Sequence, residues 1–304
     1  MNTQEDRQAS VVDLRLHQAT AADYLTLAKP GLTIMSVATA IGGAYLGGMG
    51  NPSPVLLVNL VIGTLLVGAG ASALNQWIER RTDALMKRTE ERPLPSGKVS
   101  PTCGFALGAL SGIGGSAYLY HAATPLAGIL ASVVLVVYLA MYTPLKRVTH
   151  LATAVGGIPG ALPPVIGWVS VGRELSIEAY LLFLFLFIWQ MPHFLSLAWM
   201  YRRDYERGGY HLLPHYDASG GVTGRLVLLY TAALTPVTAS LWAAGLMGWV
   251  FLVGSFLAGI LFLRVAYRFC RDVTNDRARR VFVGSLVYLS IVLLLMLADR
   301  VFLG

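Results

Sequence analysis

Charge is what this chain has least of. Asp, Glu, Lys and Arg make up only 13% of its 304 residues, roughly half the share of a soluble domain. With 55% hydrophobic residues and a mean hydropathy of +0.61, that scarcity excludes an ordinary water-soluble enzyme. Cysteine is nearly as sparse: Cys103 and Cys270 carry no disulfide or thiolate-metal framework. Residues 1–23 hold Glu5, Asp6, Arg7, Asp13 and Arg15 and no apolar segment, so they do not read as a secretory signal. The alternation of a membrane β-barrel is missing. So are a P-loop, a dinucleotide-binding glycine fingerprint and a nucleophile elbow.

What the chain does have is long apolar runs near the roughly 20 residues that span a bilayer. They predict an all-α polytopic membrane protein with nine transmembrane helices, near 32–49, 55–74, 102–120, 125–142, 151–171, 177–200, 222–246, 249–265 and 281–301. Residues 1–23 read as a polar tail with an amphipathic end, and 24–304 as a single transmembrane domain. Gly104, Gly108 and Gly112 recur at four-residue spacing in the third run, a pattern that lets helices approach closely in lipid. Pro159, Pro163 and Pro164 should kink or unwind the fifth. A basic loop is expected over 268–280.

Nine crossings put 21 of the 23 Lys and Arg residues on one side and leave Arg173 and Arg300 on the other. The positive-inside rule then sets the amino terminus in the cytoplasm. The net charge of +7 and the pI near 9.5 follow from basic loops facing anionic membrane lipid, with no need for a nucleic-acid partner.

The charge that exists is concentrated. Asn75–Gly97 reads NQWIERRTDALMKRTEERPLPSG. Asn75, Glu79 and Asp83 fall at i, i+4 and i+8, so a helix continuing from the second run carries all three along one side. An amide and two carboxylates there form an oxygen donor set for a hard cation such as Mg2+. Lys87, Arg88 and Arg92 follow, suited to phosphate. Together they point to a diphosphate site. The same charges also fit a positive-inside loop with local ion pairs, and the stretch alone leaves both open.

A second cluster repeats the order of span, acids and bases: Asp204 and Glu206 with Arg202, Arg203 and Arg207. Two such clusters across a cavity could hold metal ions on one diphosphate leaving group. YTPLKR, residues 142–147, adds Lys146 and Arg147 on the same side. They fit diphosphate, haem propionates or simple topology. His193 stands inside an apolar run, where an ionisable residue is a functional candidate by default. An unbroken helix puts His193, Leu197, Tyr201 and Asp204 on one face, with His193 roughly 16 Å from Asp204 along the axis. Its imidazole suits haem iron or a hydrogen bond to a neighbouring helix.

Four blocks resemble the UbiA superfamily of intramembrane prenyltransferases, and within it the haem O synthases: Asn75–Gly97, YTPLKR, GGIPGALPPVIGW at 156–168 and WQMPHFLSLAWMYRRDYERGGYHLLP at 189–214. The resemblance implies helices around a central cavity. It implies Mg2+-dependent transfer of a farnesyl group from farnesyl diphosphate to a vinyl group of haem B, in a bacterial inner membrane with the site facing the cytoplasm. Asn75, Glu79, Asp83 and Asp204 would be the catalytic, magnesium-binding residues. Lys87, Arg88, Arg92, Lys146 and Arg147 would bind diphosphate, and His193 would lie nearest the haem. Haem A synthase or oxidase-assembly proteins would be partners. Prenyl transfer to a quinone precursor, and haem or lipid transport without catalysis, are the alternatives. The chain departs from the pattern at Glu79, where many relatives have Asp. It departs again at Gly208, where a second Asp often follows Asp204, and at Gly31, where an Arg often follows Lys-Pro.

Overall fold

The computed structural model describes residues 19–303. The polar tail expected over 1–23 lies outside them through residue 18. Among the described residues all regular structure is helical. The order is α1 (Ala21–Leu27), α2 (Pro30–Gly47), α3 (Pro54–Asp83), α4 (Pro101–Ala122) and α5 (Pro125–Val136). A π-helical stretch, Val137–Tyr142, leads into the short α6 (Thr143–Leu145). Then come α7 (Ala152–Ala161), α8 (Pro163–Ser170), α9 (Ile177–Met200), α10 (Arg202–Arg207) and α11 (Leu213–Tyr216). The chain finishes with α12 (Gly221–Ala243), α13 (Trp249–Arg271) and α14 (Asn275–Leu303).

Lipid offers backbone groups no partner, so a segment that crosses must satisfy its own. Helix starts are set by chemistry suited to orphan N–H groups. α2, α3, α4, α5 and α8 each have proline in their first turn, where the missing N–H costs nothing. Hydroxyls inside the bundle return to their own helices: Thr39, Ser116, Thr231 and Thr238 donate to carbonyls four residues back. At the far end of the bundle Asp299 of α14, buried, accepts from the backbone N–H groups of Gly248 and Phe251, capping α13.

Seven helices among the described residues are long and apolar enough to cross a membrane, and eight if α1 and α2, bent by 53°, form one span. α4 spans 22 residues, but its glycines and serines dilute its hydropathy. It lies along α3 and α5, and Gly70 shows how closely. A Cβ on Gly70 would come 2.3 Å from the backbone N of Gly112. Small residues at four-residue spacing therefore do what the sequence pattern proposes, bringing two backbones together. The proline-rich fifth run breaks at Leu162 into α7 and α8. Gln190 of α9 donates to the Gly157 carbonyl there at 2.6 Å. The basic loop expected over 268–280 shrinks to 272–274, because α13 and α14 carry the flanking arginines in their terminal turns.

The helices form a ring in which α2 meets α3 and α8, α3 meets α4, α9 meets α7, α12 and α14, and α13 closes the outside between α12 and α14. Leu110, Ile113, Leu229, Leu257, Leu261 and Leu294 are exposed on its outer surface, as a lipid-facing wall requires.

The tightest crossing is α2 on α8. A Cβ on Gly167 would stand 1.8 Å from the Ala40 carbonyl oxygen. We expect Gly167→Ala to destabilise the bundle by at least about 1–3 kcal/mol. Gly114→Ala, with nothing within 4 Å of its Cβ, should match or slightly exceed wild type. Thermal unfolding in detergent measures both.

Candidate active site

α3 continues through Asp83, so Asn75, Glu79 and Asp83 do share a helical face. All three are buried, at 2%, 4% and 1% exposure. Burial of two carboxylates demands partners, and the bundle supplies them from distant segments. Glu79 forms an ion pair with Lys146, which is itself buried. The Tyr210 hydroxyl donates to Glu79 Oε1 at 2.7 Å, and Asn75 Nδ2 donates to Oε2 at 3.0 Å. Asp83 pairs with Arg92 at 2.8 Å. The Thr89 hydroxyl donates to the Asp83 carbonyl at 2.8 Å, folding the RTEERPLP segment back onto the end of α3.

YTPLKR reaches the site through the π-helical stretch. Its wider turn leaves Tyr138 and Tyr142 stacked at 5.4 Å. The Tyr138 hydroxyl approaches Asn75 Oδ1 at 3.5 Å. Thr143, at the end of the stretch, accepts from Asn75 Nδ2 at 3.1 Å and donates to the Tyr138 carbonyl at 2.8 Å. Lys146 Nζ lies 4.7 Å from the Tyr142 ring centroid and 5.2 Å from that of Tyr210, within cation–π range. Arg147 is exposed but donates to the Thr82 hydroxyl.

The second cluster lies against the first. Arg88 sits over the rings of Tyr201 and Tyr205, at 4.7 and 5.5 Å, and donates to the Tyr205 hydroxyl at 3.3 Å. His211 N–H donates to the Lys146 carbonyl at 2.7 Å. Gly209 takes φ +68°, a left-handed turn suited to glycine, just before Tyr210 reaches Glu79. Burial and the Glu79 carboxylate both push the Tyr210 hydroxyl well above its ordinary pKa, so it stays a donor at neutral pH. Asp204 is held by Arg207 of its own helix at 3.1 Å. Glu206 lies two residues on, about 200° around the helix, and lines a cavity of about 330 Å³ with Arg202, Arg203 and His215. Lys87 is exposed, with no ion pair among the described residues.

Where a second carboxylate would stand, Gly208 packs on the end of α3 and the segment after it: a Cβ there would come 3.1 Å from Met86 Sδ and 3.2 Å from Thr82 Cγ2. Tyr210, two residues on, reaches Glu79. Another expectation needs correction. α9 ends at Met200 and α10 starts at Arg202, with Tyr201 at φ −105°, ψ 18° between them. The single helical face from His193 to Asp204 is therefore interrupted. His193 hydrogen-bonds a neighbouring helix, its Nδ1 2.8 Å from Ser285 Oγ of α14.

Lys29, the lysine of the Lys-Pro pair before Gly31, was given no role by the sequence and belongs to the site. Its Nζ donates to Asn75 Oδ1 at 3.4 Å, and its backbone takes φ 44°, ψ 66° at the bend between α1 and α2. A left-handed non-glycine residue stores strain of the kind found at functional sites. The residue before a proline is biased away from helix, and that was the available signal. Tyr138, Thr143 and Tyr210 carried none, since their roles depend on a π turn and a loop reversal.

The donor set fits magnesium, which takes oxygen ligands and typically uses one or two carboxylates beside water and substrate phosphate oxygens. Asn75, Glu79 and Asp83 offer such oxygens. Among the described residues no three His, Cys, Asp or Glu side chains group into a cage, so Glu79, Asp83 and Asp204 do not converge as one ligand set. A site of this kind is completed by its substrate's oxygens.

The UbiA prenyltransferase family profile matches residues 36–293. A protoheme IX farnesyltransferase from Opitutus terrae is 42% identical, covering 93% of this chain and 96% of that protein. One from Aquifex aeolicus is 37% identical, covering 92% and 95%. Among solved structures, a digeranylgeranylglyceryl phosphate synthase superimposes with a TM-score of 0.75 at 16% identity, over 92% of this chain and 98% of that one. A UbiA homolog from Archaeoglobus fulgidus bound to DMAPP and Mg2+ gives 0.61 at 13% identity, over 90% and 99%. At that identity the likeness establishes the fold. Profile, relatives and fold all lead to one conclusion: the chain belongs to the UbiA prenyltransferase family.

Proposed function

We propose that this protein transfers the farnesyl group of farnesyl diphosphate to a vinyl group of haem B, with addition of water, giving haem O. The observation that carries the reading is a set of basic side chains gathered on two buried carboxylates. Lys146 pairs with Glu79 and Arg92 with Asp83, Lys29 contacts Asn75, and Arg88 and Arg147 stand at the edge. Basic groups so placed suit an anionic ligand, and the relatives' activity names which one.

In this reading the diphosphate lies among Lys29, Arg92 and Lys146, with Arg88, Arg147 and the exposed Lys87 at the rim. Asn75, Glu79 and Asp83 would hold Mg2+ through their oxygens, Asp204 of α10 would meet metal from the facing side only through the diphosphate, and the metal would supply charge withdrawal from the leaving group. The cations neutralise diphosphate as the C1–O bond breaks and the electron pair leaves with oxygen. The vinyl π electrons close on C1. Water adds to the resulting cation and releases a proton. Tyr210 and Asn75 keep Glu79 in position throughout. The farnesyl chain extends into the apolar interior of the bundle. His193 lies on the haem side. With α4 counted, residues 24–304 form one domain of nine crossings that begins in the cytoplasm. The basic end, and the site with it, faces the cytoplasm of a bacterial inner membrane; the 21-to-2 division of Lys and Arg supports this.

Asp83→Asn should lower haem O formation by about 100-fold or more while the protein still inserts and folds. Mass analysis of products from farnesyl diphosphate and haem B measures it, and wild-type turnover would refute the assignment. Lys146→Met leaves Glu79 charged and short of its partner, which should cost about 3–5 kcal/mol of stability. Adding Glu79→Gln should recover most of the melting temperature but none of the turnover. Recovery of both would mean that the pair is structural only.

A further inference from the structure

His193 and Ser285 sit at the interface of α9 and α14. The His193 ring stacks on Phe282, with centroids 4.5 Å apart, and on Trp189 at 5.4 Å. Its Nδ1 lies 2.8 Å from Ser285 Oγ. The same Oγ lies 2.6 Å from the Phe282 carbonyl oxygen. A carbonyl only accepts, so the single hydroxyl proton of Ser285 goes to Phe282. Ser285 therefore turns a lone pair towards His193, and Nδ1 must carry the ring proton. The neutral imidazole is left with its lone pair on Nε2.

Ser285 has little freedom to do otherwise. It is fully buried, and its carbonyl accepts from Trp189 Nε1 at 2.7 Å. One residue of α14 thus fixes two side chains of α9, four positions apart. His193 Nε2 has no hydrogen-bond partner among the described residues, and the residue keeps intermediate exposure. With Nδ1 engaged and the ring stacked on two aromatics, Nε2 is the ring nitrogen left without a partner among the described residues. Metal-ligating imidazoles commonly show this arrangement, with one nitrogen donating to an acceptor and the other presented to the metal.

We propose that Ser285 is a positioning residue that locks His193 as the Nδ1–H tautomer, so that Nε2 ligates the iron of the haem acceptor. The inference rests on the haem-acceptor reading above. Ligation would hold the porphyrin iron beside His193, seven residues before Met200 and so roughly 11 Å along α9 from the charged end. Acceptor and diphosphate would then be held at two depths of one bundle by separate anchors.

The test uses the purified full chain loaded with haem B and no farnesyl diphosphate. Resonance Raman of the ferrous form should show an iron–imidazole stretch in wild type, none in His193→Ala, and a weakened one in Ser285→Ala. Haem affinity of Ser285→Ala should fall about 10- to 100-fold. Ser285→Thr, which keeps the hydroxyl, should restore both. In haem-free protein, ¹⁵N-histidine NMR should find Nδ1 protonated in wild type and mixed tautomers in Ser285→Ala. An unchanged spectrum and affinity in Ser285→Ala, or wild-type iron lacking a nitrogen ligand, would overturn the inference. Haem O formation without imidazole ligation would sink this inference alone, whereas failure to form haem O at all would sink the functional reading beneath it.

Discussion

Glu79 and Lys146 form a buried ion pair, and the charged end of the bundle is arranged around it. Neither charge is tolerable there without the other, because removing one partner strands the second in a medium that solvates it poorly. The two residues come from segments far apart in sequence, so their pairing ties α3 to the segment after α5. Tyr210 adds the loop after α10, and Asn75 adds Lys29 from the bend before α2. Four stretches of chain are thereby held at one point. The same pairing suits a ligand that carries both signs of charge. A metal–diphosphate offers cation to the carboxylates and anion to the lysines, so each partner exchanges one neighbour for another of the same sign.

That arrangement depends on how closely the helices approach. Gly70 against Gly112 brings α3 to α4, and Gly43 and Gly167 bring α2 to α8 at backbone contact. In lipid no hydrophobic force drives helices together, so close packing and polar contacts must hold them. Polar contacts of that kind gather around the middle of α9. Gln190 bonds the proline-broken segment, while Ser285 holds Trp189 and His193. The π-helical stretch is the local irregularity that carries Tyr138 and Thr143 to Asn75, and such turns recur at functional sites.

Much of this was legible beforehand. The i, i+4, i+8 spacing of Asn75, Glu79 and Asp83 placed them on one face, because helical period alone decides that. The glycine spacing of α4 anticipated its close approach to α3. Other features were hidden for physical reasons. Sequence spacing from His193 to Asp204 assumed an unbroken helix, and the backbone at Tyr201 leaves helical geometry. Gly208 read as a missing ligand, and the structure shows it packed on Thr82 and Met86 at the end of α3. Lys29, in the Lys-Pro pair before Gly31, had no role in the sequence, and it meets Asn75 at the 53° bend between α1 and α2.

By itself the sequence determined the class of protein, the helical spans by their apolar length, the charged end by its basic bias, and the residue types available for diphosphate chemistry. Those properties are local or additive, and one chain segment at a time is enough to evaluate them. Tertiary structure decided which charge neutralises which, what position 208 packs against, and which nitrogen of His193 carries the proton. Each of these depends on an atom contributed by another helix, at distances of about 3 Å. Periodicity and composition carry no information at that scale.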